Sequence, residues 1–267
     1  MTTKSDSTET PVRLERQGSV GVLTLDRPER KNALSRLALR ELGRLGAELV
    51  ADPTIRAIVL TGGGDQVFCA GADLKERQGF TSEDVRIQVG LYRTELRVLD
   101  KSPKPVIAAL NGIALGGGLE LALICDLRVA APHVKIGLPE TTLGIIPGAG
   151  GTQRLPRIVG EARAKEMILL GRALTSVEAL LWGLINRISP VGTNVVDDTI
   201  AWIDPIANGA PIAQAAALGA IDDSFDVTLD QGLALERVHY DETLRSDDRL
   251  EALKAFAEKR KPVFQGR

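Results

Sequence analysis

Gly116-Gly117-Gly118-Leu119-Glu120 opens a stretch that continues Leu121-Ala122-Leu123-Ile124-Cys125. Glycines at a helix start let a ligand approach the backbone, and the first helical turn leaves N–H groups without internal partners. Those groups favour developing negative charge. Glu120 falls in that first turn, among apolar neighbours. A carboxylate buried without a partner is costly, so there it would keep its proton or find a donor. Two readings stand: an acid or base in an apolar site, or a solvent-facing residue that the helix dipole favours.

Glu140 closes Gly137-Leu138-Pro139-Glu140 and precedes a segment containing Gly148-Ala149-Gly150-Gly151. It reads as lying on a loop after a strand. Alone, it is a surface acid. Paired with Glu120, it suggests two carboxylates on Gly-rich turns flanking one water and dividing acid and base roles. A third element, Cys69-Ala70-Gly71-Ala72-Asp73-Leu74, ends a strand in small residues and presents another backbone N–H. Two converging N–H groups make an oxyanion hole for a thioester enolate. Cys69 has no histidine near it in sequence and reads as packing rather than as a nucleophile. Asp73 reads as a loop cap rather than a catalyst.

Other chemistries find little support. The glycine clusters do not spell a dinucleotide fingerprint, and neither a P-loop nor a Gly-x-Ser-x-Gly elbow occurs. Two histidines and two cysteines make a dedicated metal site unexpected. His133 and His239 read as structural or exposed, and Trp182 and Trp202 as packing residues. The chain has 267 residues with 33 basic and 35 acidic side chains, so no nucleic-acid or anionic-membrane partner is expected from its net charge of −2. The basic run at Lys259-Arg260-Lys261 reads as a solvated helix end. Cys69 and Cys125 cannot build a disulfide framework, which points to a reducing compartment and a cytoplasmic location. No apolar run of about 18 residues appears, so no membrane helix is expected.

The elements that would position these groups alternate through the first 190 residues. Strands are expected at 20–26, 55–61, 67–74, 105–110 and 127–131, and helices at 33–50, 82–99, 119–124, 161–170 and 176–181. This is a mixed α/β layer fold with crossover connections. Beyond Pro190 only helices are expected, at 195–208, 211–221, 228–245 and 249–260. Residues 1–10 read as a frayed polar tail, 11–192 as the core with the site, and 193–267 as a helical C-terminal region.

With these residues in hand, the chain resembles the enoyl-CoA hydratase/isomerase (crotonase) superfamily from about Val12 to its end. The most specific matches are Phe68-Cys69-Ala70-Gly71-Ala72-Asp73-Leu74, then 111–120 (NGIALGGGLE), 137–140 (GLPE) and 146–154 (IPGAGGTQR). The resemblance implies an α/β spiral of β-β-α units with an all-helical trimerisation region, and trimers that commonly pair into hexamers. It implies Ala72 and Gly117 as the two N–H donors to the thioester oxygen. Glu120 and Glu140 would hold the water, with Glu140 exchanging the proton at C2 and Glu120 orienting and activating the water at C3. Gly148 would lie beside that water. Ala70, Gly71, Asp73 and Leu74 would wall the acyl-CoA. Arg30, Lys31, Phe256 and Lys259 would contact coenzyme A, the last two often from a neighbouring subunit. No cofactor is implied, because coenzyme A is part of the substrate.

Both glutamates favour reversible syn addition of water to a 2,3-enoyl thioester, since isomerases of the superfamily typically keep only the later one. Phe68–Arg77 and Leu115–Ala131 look closest to the methylglutaconyl-CoA hydratase group of leucine breakdown. The distal carboxylate of such a substrate would need a cation, for which Lys75 and Arg77 are candidates by position; both also fit an exposed helix start. Alternatives are a general short-chain enoyl-CoA hydratase, an isomerase or decarboxylase of the same fold, and an RNA-binding protein. Balanced charge and only 3% aromatic residues count against the last.

Overall fold

The computed structural model describes residues 10–267. The expected frayed tail therefore lies, except for Thr10, outside the described residues. β1 (Val12–Gln17) and β2 (Val20–Leu25) form an antiparallel hairpin. α1 (Arg36–Ala51) follows, capped by the Ser35 hydroxyl, which accepts from the Ala38 N–H at 3.1 Å. The chain then repeats one pattern three times. β3 (Ala57–Gly62) is followed by β4 (Val67–Cys69), β5 (Val106–Leu110) by β6 (Ile113–Leu115), and β7 (Leu127–Ala130) by β8 (Lys135–Gly137). The first strand of each pair enters a six-stranded sheet and the second a four-stranded one. That is the spiral of β-β-α turns.

Helices fill the connections. α2 (Leu74–Arg77), α3 (Ser82–Glu95) and α4 (Arg97–Asp100) join β4 to β5, and α5 (Gly117–Leu123) joins β6 to β7. α6 (Gly151–Val159) and α7 (Glu161–Leu170) lead to β9 (Ala173–Thr175), and α8 (Ser176–Leu181) to β10 (Arg187–Ile188). The large sheet has the order β1-β2-β3-β5-β7-β10 and is parallel from β2 onward. Every residue of β2, β3 and β5 is buried, as expected of parallel strands covered on both faces. The small sheet has the order β4-β6-β8-β9, with β4, β6 and β8 parallel and β9 antiparallel to β8.

The C-terminal part is helical: α9 (Val195–Trp202), α10 (Asp204–Ala207), α11 (Pro211–Asp223), α12 (Leu229–Thr243) and α13 (Asp247–Ala257). α9 packs on β3, β5 and β7, and its first residue Val195 and the Ile203 that caps its end are buried in the main core. The expected single helix over 195–208 is broken at Ile203, two residues before Pro205, which has no N–H to continue the ladder. Helix α6 escapes the sequence reading because it starts on glycines and contains Pro156. Strands β6, β8 and β9 escape it because three residues show no alternation.

What matters for chemistry is the small sheet. Because β4, β6 and β8 run parallel side by side, their C-terminal ends lie at one edge, where open parallel sheets place ligands. Those ends deliver Ala70–Asp73, Gly116–Glu120 and Leu138–Glu140.

Candidate active site

The N–H donors come first. The 31–34 segment zips onto the 70–73 segment: Ala70 N–H donates to Lys31 O at 3.1 Å, Leu34 N–H to Gly71 O at 2.8 Å and Asp73 N–H to Leu34 O at 3.1 Å. Gly71 has φ +95°, and a Cβ there would come 3.1 Å from the Gly117 nitrogen. The two glycine-containing segments are therefore in backbone contact. Gly118 makes that contact possible, since a Cβ on it would fall 2.1 Å from the Cys69 carbonyl oxygen. Neither the Ala72 nor the Gly117 N–H donates a hydrogen bond among the described residues.

Glu120 is 4% exposed. Its Oε1 accepts from the N–H groups of Ala149 at 2.7 Å and Gly151 at 2.8 Å. Both belong to the turn that opens α6, so this carboxylate sits at a helix N-terminus, which favours its negative form. Burial raises its pKa, while those two N–H groups and the charges of Arg154 and Arg77 pull it back. The turn is itself tied down. Arg154 donates to both carboxylate oxygens of Asp100 at 2.9 Å and to the Ala149 carbonyl at 3.4 Å.

Glu140 has a different environment. It opens a 3-10 turn (Glu140–Leu143) rather than an open loop, and is 8% exposed. Its Oε2 is buried without a hydrogen-bond partner, and its Oε1 would lie 3.2 Å from a Cβ on Gly116. Burial, reinforced by the Glu120 charge, pushes its pKa up to about 7. One carboxylate is thus fixed as an acceptor, and the other holds a proton near neutrality.

Two hollows flank this centre. A cavity of about 1050 Å³ reaches from Glu120, Tyr92 and Gly148 to Leu218, Ile221 and Phe225 at and beyond α11. A smaller one of about 280 Å³ is lined by Arg27, Arg30, Ser35, Asp73, Lys75 and Glu76. The structure so gathers Arg30 and Lys75 at one rim, with Lys31 exposed nearby in the chain. Asp73 lies there too, but as the expected cap: it accepts from the Lys75 and Glu76 N–H groups and pairs with Arg27 at 3.0 Å. Leu74 is exposed. Arg77 turns inward, and its Nε donates to Gln88. Phe256, 85% exposed on α13, and Lys259 after it line neither hollow.

Cys69 is fully buried and its thiol is pushed up to about 12 by burial, which leaves it unsuited to attack. Among the described residues no group of three or more His, Cys, Asp or Glu side chains is placed to hold a metal ion. No helix there is long and apolar enough to cross a membrane.

Sequence reasoning missed Tyr92, Arg154 and the Ala149 and Gly151 N–H groups. The Gly148-Ala149-Gly150-Gly151 run carried a signal for the last two, because a Gly-rich helix start offers free donors. Nothing at position 92 distinguishes a site tyrosine from a packing one.

A family model described as enoyl-CoA hydratase/isomerase matches residues 15–267. The human mitochondrial enoyl-CoA hydratase domain-containing protein 2 is 44% identical over 256 residues, covering 94% of this chain and 87% of that protein. Mouse mitochondrial methylglutaconyl-CoA hydratase is 42% identical over 255 residues, covering 94% and 81%. The crystal structure of an enoyl-CoA hydratase from Bacillus anthracis superposes with a TM-score of 0.93 at 44% identity, covering 96% of this chain and all of that one.

Proposed function

Because the chain belongs to the enoyl-CoA hydratase/isomerase family, we propose that it is a hydro-lyase that adds water, reversibly and syn, across the 2,3 double bond of an enoyl-CoA thioester. The observation that carries this reading is the unequal pair of buried carboxylates, one anchored by two N–H groups and one with a pKa of about 7.

In this reading the thioester oxygen sits between the Ala72 and Gly117 N–H groups. They stabilise the negative charge that develops as C3 is attacked. Glu120 Oε1 is occupied by its two donors, so Oε2 faces the water and takes its proton. The water oxygen bonds to C3, the C2–C3 electron pair moves toward the thioester oxygen, and the enolate recovers it by taking the Glu140 proton at C2. One water is consumed, and the carboxylate pair carries one proton before and after. No group beyond the protein, the water and the thioester enters these steps.

The test is product analysis on a panel of enoyl-CoA thioesters in isotopically labelled water. The expected product is the 3-hydroxyacyl-CoA carrying one labelled oxygen. A shifted double bond without label would favour isomerisation and defeat the reading, and loss of carbon dioxide would do the same.

The narrower substrate is 3-methylglutaconyl-CoA, hydrated to 3-hydroxy-3-methylglutaryl-CoA. Its support is a cation in the segment that follows Ala70–Asp73, although Arg77 lines neither hollow. Arg77 makes no ion pair among the described residues, and its charge acts on Glu120. Lys75 lines the outer hollow instead. Arg77→Ala is expected to lower kcat/KM for a carboxylated enoyl-CoA about tenfold or more relative to crotonyl-CoA, the usual scale for losing a charge-assisted contact. Equal losses on both substrates would remove Arg77 from that role.

Residues 193–267 would be the region through which copies assemble as a trimer or hexamer. Exposed Leu229, Leu233 and Val238 on α12 and Phe256 on α13 support this, and Phe256 and Lys259 would then reach a neighbour's coenzyme A. Two buried free cysteines fit a reducing, cytoplasmic setting.

A further inference from the structure

The large cavity holds one polar group that the hydration steps leave unused. Tyr92 lies on α3 and is 7% exposed, and its covered hydroxyl has no hydrogen-bond partner among the described residues. A phenylalanine would fill the same space without stranding a polar atom, so packing does not account for the oxygen.

Its surroundings point to a partner. The hydroxyl lies against Gly117: a Cβ there would come 2.7 Å from the oxygen and 3.2 Å from the ring carbon that bears it. Gly117 carries one of the two N–H groups assigned to the thioester oxygen, and its nitrogen faces the 70–73 segment, 3.1 Å from a Cβ on Gly71. An oxygen accepting from the Gly117 N–H stands about 2.9 Å from that nitrogen, beside the residue that the hydroxyl touches. The Glu140 carboxyl lies against the preceding residue, 3.2 Å from a Cβ on Gly116, and its Oε2 also lacks a partner. Consecutive glycines thus meet the proton source on one and the hydroxyl on the other.

Helix α3 is tied to the same frame. Gln88 precedes Tyr92 by four residues, so the two share one helix face. Gln88 is fully buried, and its Nε2 donates to Glu76 at 2.9 Å and to the Leu34 carbonyl at 3.4 Å. Leu34 in turn pairs with Gly71 and Asp73, which flank Ala72. Val89 of the same helix packs against the turn at Gly148, 3.4 Å from a Cβ there. Burial, then the neighbouring Cys69 and Glu120, hold the hydroxyl well above its ordinary pKa, so at neutral pH it is a donor.

We propose that the Tyr92 hydroxyl is a third donor to the thioester oxygen, a catalytic residue working beside the Ala72 and Gly117 N–H groups. This rests on the hydratase reading above and adds a group to that site. The hydroxyl keeps its proton throughout. The C2–C3 electron pair moves toward the thioester oxygen, three donors rather than two hold the charge, and the pair returns as C2 takes the Glu140 proton. A donor aimed where charge develops strengthens in the transition state, so its loss falls on kcat more than on KM.

The test is Tyr92→Phe, which removes one oxygen and keeps the ring. On an enoyl-CoA that the wild type hydrates, kcat is expected to fall about tenfold to a hundredfold, with KM within about threefold and a melting temperature no lower than wild type. A kcat within about threefold of wild type overturns the proposal. A second measurement separates the thioester oxygen from the attacking water as the acceptor. Butyryl-CoA has no double bond to hydrate, and with an isotopic label at its carbonyl carbon the infrared stretch of that carbonyl reads the donors on its oxygen. Bound to the wild type, the stretch is expected at a lower frequency than when bound to the variant. Equal frequencies overturn the proposal even where kcat falls, because the hydroxyl then serves the water. If the wild type hydrates and the variant matches its rate, the Tyr92 assignment fails and the hydratase reading survives. If the wild type binds butyryl-CoA but hydrates no enoyl-CoA, the hydratase reading fails and the carbonyl frequencies decide Tyr92. If it does neither, both fail.

Discussion

Glu140→Gln lowers kcat for hydration by roughly a thousandfold, within the range expected for removing a general acid from a reacting carbon. The amide keeps the shape of the side chain and cannot deliver a proton to C2. The variant also gains stability at alkaline pH. In the folded enzyme the Glu140 pKa is about 7, against an ordinary value of 4.5. Below 4.5 both folded and unfolded chains hold the proton. From there up to about 7 only the folded chain holds it, so wild-type stability declines with rising pH. The glutamine variant lacks this decline, and melting curves at pH 5 and pH 8 measure the difference. The same pKa shapes the rate. The acid form of Glu140 exists below about 7, so kcat/KM falls as pH rises through that value. Hydration releases and consumes no net proton, so its equilibrium constant does not change with pH. The hydration and dehydration profiles must therefore superpose, and both report the singly protonated carboxylate pair. Wild-type-like turnover in the glutamine variant, or a rate flat across pH 6 to 9, would remove Glu140 from the proton transfer.

The sequence revealed this centre because its signals are local. Three glycines before Leu119-Glu120, small residues after Phe68 and a proline before Glu140 each mark a place where backbone comes close to something. The strands that end at those places were partly legible: β3 and β5 are long and wholly apolar, whereas β6 and β8 have three residues each and are defined by their neighbours in the sheet. What could not be read was anything set by one element crossing another. Tyr92 sits at an ordinary helical position, and only the passage of α3 beside α5 turns its hydroxyl toward Gly117. The clamp from Asp100 through Arg154 to Ala149 joins residues far apart in sequence across two short helices, one of which begins with glycine and contains proline. Glu120 was legible as a candidate acid, but not as the acceptor of the α6 N-terminus.

That second role gives Glu120 two separable losses. Glu120→Gln can still present an oxygen to the Ala149 and Gly151 N–H groups. Its amide nitrogen must then face the water, where the wild type has an acceptor. The water meets a donor, loses its base, and kcat falls roughly a hundredfold to a thousandfold, with little change in melting temperature. Glu120→Ala removes the base and also strands both N–H groups. An unsatisfied buried donor costs about 1–3 kcal/mol, so this variant melts several degrees lower, and the turn at 148–151 is freed to move. Gly148 and Ala149 line the large cavity, so KM should rise in the alanine variant and stay close to wild type in the glutamine one. If the two variants lose the same activity and melt together, the α6 donors do not hold this carboxylate in solution. The water would then have no fixed acceptor, and the division of labour between the two acids would have to be abandoned.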